Sequence, residues 1–483
     1  MKRTEAATLH RNVALAGLYL LLSLIVNLVF CFHASPLWHG YMGDQAMFSI
    51  IGDNWAHGLL PYVDTWDSKG PIIFFVNMLG HLLAPGEYGI FILQVLNLAG
   101  ALLISHAYMR RWCSLRLELL VQMLFVMSYV VVSSGGNQVG DSTQLLGIWA
   151  VMAGYDWTRK MEHGSLAHPW GSATVYGMFT AACLLSRLTD CLAVLSFAGI
   201  VALTLVYHKM WRNLWANILG FAMGFAMAFV PFAAYFAWHG AFGEMWYATF
   251  TYNMEYTVQS SAEPQPSMMQ TLHSASYFVC LLLPLVVGFL AMIDGQRRRT
   301  ALAWALAVVP ALLWIANSYT YANYAISFLP VLIVATLELA EHARQHQAAK
   351  WALGLTAGFI TVCSVYQTCI LRKLSIVDKA ALQGLALTRD IPTTETLAAY
   401  NVDATYYLYS HRQPCYRFFT VQDWAILNGS SLRPKVRECF KSGKAKWVLV
   451  REYENSEIKG LLDKDYTAYR QSPETSLTLF KRK

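Results

Sequence analysis

Several charged residues that could do chemistry stand close together in a polar stretch near the start of the chain. The stretch covers 40–71 and reads GYMGDQAMFSIIGDNWAHGLLPYVDTWDSKGP. A carboxylate that faces a hydroxyl group can accept its proton, and a nearby cation can stabilise a departing phosphate. The stretch supplies both kinds of group, in Asp44, Asp53, Asp64, Asp67 and Lys69.

The same stretch predicts one helix and the start of the next. Apolar residues recur at helical spacing between Asp44 and His57, which predicts a helix lying in a membrane interface with Trp55 as its anchor. Asp44 then stands at the helix N-terminus, where a carboxylate is favourable, and this capping alone would also explain it. Pro71 suits the first turn of the next helix. Asp67 and Lys69, just before it, could simply offset each other.

The composition indicates a membrane protein. Of 483 residues, 56% are hydrophobic and 13% are charged, whereas a soluble chain carries about 25% charged residues. The first apolar run, Val13 to Phe32, is expected to be a retained helix. Further apolar runs lie at 71–84, 88–108, 118–133, 142–157, 171–186, 190–207, 215–237, 274–293, 301–316, 322–340 and 351–370. We expect a mainly α fold, a polytopic bundle of about 11–13 transmembrane helices. The range is open because 71–84 and 88–108, separated by a Pro-Gly pair, need not both span.

Basic residues predict the orientation. Lys2 and Arg3 precede the first helix, and later basic clusters mark cytoplasmic loops. The N-terminus is therefore expected in the cytoplasm, with 33–70 and the tail outside. Lys69 and Arg187 are exceptions, because they fall at expected outer helix ends. Such residues either snorkel to water or bind an anionic group such as a phosphate.

The tail, 372–483, differs from the rest of the chain, 1–371. It holds 19 Lys and Arg against 12 Asp and Glu, while 1–371 holds 17 of each kind. WVLVRE (447–452) and SLTLFKR (476–482) predict strands, and Asp378 to Thr388 and Ser456 to Leu462 predict helices. We therefore expect a small extracytoplasmic α/β domain. Its positive charge favours an anionic membrane lipid over a nucleic acid as partner. Cys415 and Cys439 could pair or stay free.

The joint pattern of the polar stretch resembles the first outer loop of the GT-C membrane glycosyltransferases. The resemblance is strongest to the branch of the protein O-mannosyltransferases and the lipid A aminoarabinose transferase. It rests on Asp44, on GLLPYVD (58–64) and on KGP (69–71). It departs at Gln45, where an acid is common, and at Gly70, where proline is common. Fainter matches are SSGGNQVGDST (133–143), SRLTD (186–190) and TYANYAISFLP (320–330).

This resemblance implies an enzyme of the inner or plasma membrane. It would move a sugar from a polyprenyl-phosphate donor to an envelope acceptor (protein, lipid or glycan) at the outer face, with inversion. Asp44 would be the general base, and Lys69 and Arg187 would bind the donor phosphate. Supporting acids would be Asp64, Asp67 and Asp141. A divalent metal could act through Asp141, and the metal requirement stays open.

Four further residues could contact the acceptor or a lipid. Aromatic rings stack on sugars, but they also crowd at every membrane interface. The candidates are Tyr62, Trp66, Tyr252 and Glu255. Elsewhere, His342 and His346 stand four positions apart beside basic residues, and we interpret them as a solvated helix end.

Two other classes of function remain. A transporter or flippase for a lipid-linked glycan would suit about twelve helices and two phosphate-binding cations, although no inverted repeat is evident. A non-catalytic scaffold would leave the carboxylates of the polar stretch without a role.

Overall fold

The structure is a computed structural model that describes residues 2–31, 35–38, 43–133, 138–259, 268–317, 322–373, 379–428 and 430–483. The chain forms two compact units, each made of three segments. The helical unit comprises Met1–Leu37, Phe91–Ala233 and Pro266–Lys373. The mixed unit comprises Trp38–Ile90, Ala234–Gln265 and Leu374–Lys483. Each unit is treated by itself below.

The helical unit contains the long apolar helices, including most of α4 and α9. They are α1 (Lys2–Val29), α4 (Tyr88–Met109), α5 (Leu115–Ser133), α6 (Gln138–Glu162), α7 (Trp170–Leu184), α8 (Leu192–Tyr207), α9 (Trp211–Trp238), α12 (Met268–Asp294), α13 (Arg298–Asn317), α14 (Leu329–His342) and α15 (Gln347–Lys373). Every predicted apolar run from 88–108 onward lies on one of these helices. The run at 322–340 begins as a 3-10 segment, Ala322–Phe328, before α14 starts.

Seven segments of the described chain are long and apolar enough to cross a membrane. They are Arg11–Val29, Tyr88–Met109, Leu115–Val132, Leu188–Tyr207, Trp211–Trp238, Tyr324–His342 and Gln347–Cys369. A polytopic, mainly helical fold is thereby confirmed, and the total of 11–13 spans stays a prediction.

Small residues let helices of this unit pack backbone against backbone. A Cβ atom on Gly224 would lie 1.9 Å from the carbonyl oxygen of Thr174, so α7 and α9 touch there. A Cβ atom on Gly288 would lie 2.4 Å from the carbonyl oxygen of Ala335, so α12 and α14 touch likewise. Close approach at small residues is the usual way in which membrane helices associate.

The mixed unit combines short helices with one sheet. Its helices are α2 (Gly43–Ala56), α3 (Pro71–Leu83), α10 (Phe242–Trp246), α11 (Tyr252–Gln259), α16 (Lys379–Thr388), α17 (Thr405–Ser410), α18 (Gln422–Asn428), α19 (Arg433–Lys441) and α20 (Lys459–Asp465). A π turn, Tyr247–Thr251, joins α10 to α11. The tail, the first loop and the segment between α9 and α12 therefore form one unit.

The sheet has four strands in the order β1-β2-β4-β3. They are β1 (Leu397–Tyr400), β2 (Trp447–Arg451), β3 (Tyr466–Ser472) and β4 (Leu477–Arg482). β1 pairs with β2 in parallel, and the other pairs are antiparallel. The predicted strands 447–452 and 476–482 and the helix ending at Thr388 are confirmed. The helix predicted over 456–462 begins later, at Lys459, and β1 and β3 were not predicted.

α2 is not the surface helix that its spacing predicted. Ten of its fourteen residues are buried, and Trp55 donates its indole N–H to Tyr235 Oη at 2.8 Å instead of facing lipid. The reason is close packing against α3. A Cβ atom on Gly52 would lie 2.5 Å from Asn77 Cβ, so the two helices meet at that glycine.

α3 is too short to cross a bilayer. Its 13 residues extend about 20 Å at 1.5 Å per residue, against a hydrocarbon core of about 30 Å. Of the two predicted runs at 71–84 and 88–108, the second therefore has the length to span. This agrees with the alternative in which one of the pair is a half-helix.

Candidate active site

The turn before α3 is built from its own side chains. Leu60 N–H donates to Asp64 Oδ2 at 2.6 Å, and Tyr62 N–H donates to the carbonyl of Thr65 at 2.7 Å. Tyr62 has a positive φ of 69°, the left-handed conformation that such a tight reversal requires. Asp64 is exposed and accepts the hydrogen bond that closes this turn. In this structure the residue predicted to support catalysis therefore has a structural role.

Tyr62 fixes the backbone at Lys69. Its ring is fully buried, in edge contact with Phe74 and Phe236 at 5.7 and 5.4 Å. Its hydroxyl donates to the carbonyl of Lys69 at 2.9 Å. Burial also raises the pKa of Tyr62, so the hydroxyl stays a donor. Because the ring is fully buried, neither of its faces is open to an acceptor or a lipid. Tyr62 instead positions the backbone of Lys69 through its hydroxyl group.

Asp67 connects the charged residues of the first loop. It is buried and accepts the backbone N–H of Lys69 on Oδ1 at 2.9 Å. Burial raises the pKa of this carboxyl, the charge of Lys69 lowers it, and the charge of Asp44 raises it again. Asp67 is therefore near enough to both Asp44 and Lys69 to sense their charges, although Asp44 lies more than twenty positions earlier.

These three groups differ in access. Asp44 lies exposed in the first turn of α2, Lys69 is half-buried and Asp67 is buried. Pro71 opens α3 as predicted, directly after Lys69 and Gly70. The exposed carboxylate of Asp44 and the half-buried ammonium of Lys69 can each reach a substrate, while the buried carboxylate of Asp67 holds the backbone of the lysine in place.

A carboxylate of the tail also reaches the start of α2. Asp403 Oδ2 lies 2.5 Å from the place that a Cβ atom on Gly43 would occupy. The other oxygen, Oδ1, accepts the N–H and hydroxyl of Thr405 at 2.9 and 2.6 Å. A larger residue than glycine at this position would force the carboxylate of Asp403 to shift. Sequence reasoning missed Asp403, because nothing in the local pattern ties it to a loop 360 positions earlier.

Trp66 and Tyr252 are packed into the mixed unit. Their rings meet edge to face at 5.0 Å, and both are almost fully buried. The backbone N–H of Trp66 donates to the carbonyl of Arg417 at 3.0 Å, and Tyr252 Oη donates to the carbonyl of Ala425 at 3.1 Å. The two residues thus hold the first loop and α11 to the tail, and their buried rings leave little surface for a sugar.

Glu255 is likewise linked to the tail. It accepts the hydroxyl of Ser431 at 2.9 Å, and Tyr247 donates weakly to it at 3.4 Å. Its predicted contact with an acceptor stays a prediction.

Arg187 belongs to the helical unit, where it is paired with a carboxylate. Its Nη2 and Nε atoms both donate to Asp190 Oδ1, at 2.8 and 3.0 Å. Ser327 donates its hydroxyl to the same oxygen at 2.7 Å, and the guanidinium lies 5.2 Å from the ring centre of Tyr324. Sequence reasoning named Arg187 but missed Asp190 three positions on, a spacing typical of a local ion pair.

Two other predicted positions are only partly described. Asp141 lies on α6, and its side chain falls outside the described part of the structure. The side chain of Asn323, in the segment 320–330 that carries one of the fainter matches, falls outside it too. In the described part of the chain, the first-loop carboxylates form no group of three metal ligands, and one such group lies elsewhere, at Asp294, His342 and His346.

One prediction follows from the buried carboxyl of Asp67. Because its pKa is raised above the ordinary value of 3.8, the folded protein holds the proton more tightly than the unfolded chain does. The group's contribution to stability is then greatest below that value and is lost as the pH rises through the raised value. We expect the Tm of the wild type to fall relative to Asp67→Asn as pH rises from about 4 to 7. Thermal unfolding in detergent measures this, and a constant Tm difference would contradict it.

The fold is similar to that of two solved membrane proteins, ArnT and AglB. The chain is similar to ArnT from Cupriavidus metallidurans in the apo state, with a TM-score of 0.61 and 14% identity over 99% of this chain and 98% of that one. It is equally similar to ArnT bound to undecaprenyl phosphate, with a TM-score of 0.62 and 14% identity over 97% of each chain. AglB, an archaeal oligosaccharyltransferase from Archaeoglobus fulgidus, follows with a TM-score of 0.50 and 11% identity over 99% of this chain and 74% of that one.

These similarities confirm the expected fold. Sequence identities of 11–14% support a shared fold and nothing more specific. No family model and no curated protein matches the sequence.

Proposed function

We propose that the protein is a glycosyltransferase that moves a sugar from a polyprenyl-phosphate donor to an acceptor in the cell envelope. The observation that carries the proposal is the hydrogen bond that links Asp67 to Lys69 before α3, with the exposed Asp44 near enough to Asp67 to act on its carboxyl. It lies within a fold shared with ArnT, whose solved complex holds undecaprenyl phosphate. A lipid-borne donor also agrees with a sequence that has no nucleotide-binding motif.

The transfer divides the work between these groups. An acceptor hydroxyl loses its proton to Asp44, and its oxygen attacks the anomeric carbon of the sugar from the side opposite the phosphate. The bond between that carbon and the phosphate oxygen breaks, and polyprenyl phosphate leaves. The anomeric carbon of the transferred sugar then has the inverted configuration. Asp44 fits the base because it is exposed, whereas Asp67 is buried. Proton transfer to a positioned carboxylate contributes about 10²–10⁴-fold to such reactions.

Lys69 and Arg187, and the residues that orient them, would stabilise the leaving phosphate. Lys69 would stabilise the charge that develops on the phosphate, held at its backbone by Tyr62 Oη and Asp67 Oδ1. Arg187 would bind the donor phosphate as well, and Asp190 and Ser327 would orient its guanidinium. Asp64 and Asp141 would act in support, with or without a divalent metal. We place this chemistry at the outer face of the inner or plasma membrane.

Comparative mass spectrometry of the envelope tests the proposal in the cell. Glycans, glycolipids and glycoproteins are compared between cells with the protein, cells without it and cells carrying Asp44→Asn. We expect one sugar residue to be missing from an envelope component in the latter two. Identical glycan masses in all three, under conditions in which the protein is made, would count against it.

A further inference from the structure

Two histidines and an aspartate meet in the helical unit where α12 and α14 end. Asp294 is the last residue of α12, His342 is the last residue of α14, and His346 follows in the turn before α15. One ligand atom from each residue lies within 4.8 Å of the others. His342 Nε2 is 2.6 Å from Asp294 Oδ2, and the two imidazole rings stack with centres 4.2 Å apart and planes at 19°.

Packing of the helices explains why these side chains meet. α12 and α14 touch at Gly288 and Ala335, so their ends emerge together. Gly295, directly after Asp294, leaves space for the ring of His342, whose Nδ1 would lie 3.6 Å from a Cβ atom there. The N–H of His346 donates to the carbonyl of His342 at 3.2 Å. This bond continues the helical spacing and keeps both imidazoles on one side.

Neighbouring charges leave the carboxylate of Asp294 available. Arg297 is the nearest basic residue in the sequence, but it binds Glu338 at 2.5 Å and Glu341 at 2.9 Å. Asp294 is 72% exposed and His342 is 11% exposed. The cluster therefore has one anchored imidazole and two groups that can adjust around it.

We propose that Asp294, His342 and His346 bind a divalent transition-metal ion of the zinc class. Two imidazole nitrogens and one carboxylate oxygen are ligands that Zn²⁺ takes in proteins, usually with a tetrahedral arrangement in which water fills the fourth position. Ligands of a tetrahedral ion must come closer together than 4.8 Å, which the exposed His346 and Asp294 can do by side-chain rotation. The ion would tie the end of α12 to the turn between α14 and α15. This site is separate from the sugar transfer proposed above and does not depend on it.

Metal titration of the full-length protein tests the site. Protein without a polyhistidine tag is purified in detergent, stripped with a chelator, and titrated with Zn²⁺ by calorimetry and with Co²⁺ by visible absorption. We expect one equivalent of each ion, a tetrahedral Co²⁺ spectrum, and a higher Tm with Zn²⁺. His346→Ala and Asp294→Ala should each weaken binding at least about 100-fold, since even an outer partner of a metal ligand contributes 10–100-fold.

His163→Ala is the matched control, because it removes another exposed histidine outside the cluster and should bind as the wild type does. His346→Ala and Asp294→Ala both change exposed side chains. An unchanged elution profile and an unchanged Tm without metal would show that both variants fold. Less than one equivalent of Zn²⁺ on the wild type would overturn the proposal. Equal affinity in His346→Ala would do the same, and would reduce the cluster to a His–Asp hydrogen bond and a ring stack.

Discussion

Asparagine in place of Asp44 is expected to lower sugar transfer by the purified protein about 10²–10⁴-fold, the usual contribution of a positioned general base. The change keeps the size and polarity of the side chain and removes only its ability to take up a proton. Asp44 is exposed in the first turn of α2, so its loss leaves no unpaired buried group. We expect the effect in kcat, measured at saturating donor and acceptor, with elution profile and Tm unchanged.

Asp53→Asn provides the control for this experiment. Asp53 lies on the same helix and undergoes the same chemical change, but its carboxylate contacts His57 and Gln413. Transfer should stay within about twofold of the wild type, since a partly exposed carboxylate outside the proposed site takes no part in the reaction. If Asp44→Asn transferred sugar as fast as Asp53→Asn, the general base would have to be another group. Asp403 of the tail, which lies against the start of α2, would be the next residue to test.

Removing the ammonium of Lys69 is the second large effect that we expect. Lys69→Ala should lower kcat about 10²–10³-fold, as the loss of one preorganised electrostatic group commonly does. The backbone carbonyl that accepts Tyr62 Oη and the N–H that donates to Asp67 remain in the variant. The loss would therefore report the charge and not the local fold. The pH dependence and kcat of the variant are measured with the same donor and acceptor.

Two further variants make this result specific. Lys69→Arg keeps the charge and should recover part of the lost activity, since guanidinium and ammonium differ in shape and donor geometry. Lys350→Ala removes an exposed lysine of α15 and should have no effect. An equal loss in Lys69→Ala and Lys69→Arg would assign the lysine to packing, and a fully active Lys69→Ala would remove it from the mechanism.

The sequence predicted the long helices of the helical unit well because each carries a long apolar run, which is a local signal. It also placed Pro71 near the first turn of α3, since proline acts on its immediate neighbours. Two strands, 447–452 and 476–482, were found because each is a short run of mostly apolar residues within a charged tail. β3 escaped, because its pattern is mostly exposed, and β1 escaped because it has only four residues.

Contacts between distant segments could not be predicted in the same way. Asp403 beside Gly43, and Phe418 beside Trp66 at 5.5 Å, join positions more than 350 apart. The burial of Trp66 and Tyr252 follows from these contacts, so the sequence could offer their rings only as candidate sugar platforms. The burial of α2 was missed for a related reason, since Gly52 and Asn77 show no sign of contact in a single sequence.

Cys415 and Cys439 are free thiols in the structure. Burial raises the pKa of Cys415 to about 11, with a smaller effect from Cys439.

Transfer by the reconstituted protein is the most direct measurement of the central claim. Purified protein in liposomes receives a polyprenyl-phosphate donor with a labelled sugar, together with an envelope extract as acceptor. Chromatography then separates the donor, the freed polyprenyl phosphate and the labelled product. We predict that the wild type forms labelled product and polyprenyl phosphate in equal amounts and that Asp44→Asn forms both about 10²–10⁴-fold more slowly. Label that stays on the lipid, or that only crosses the bilayer, would contradict the account and indicate a transporter.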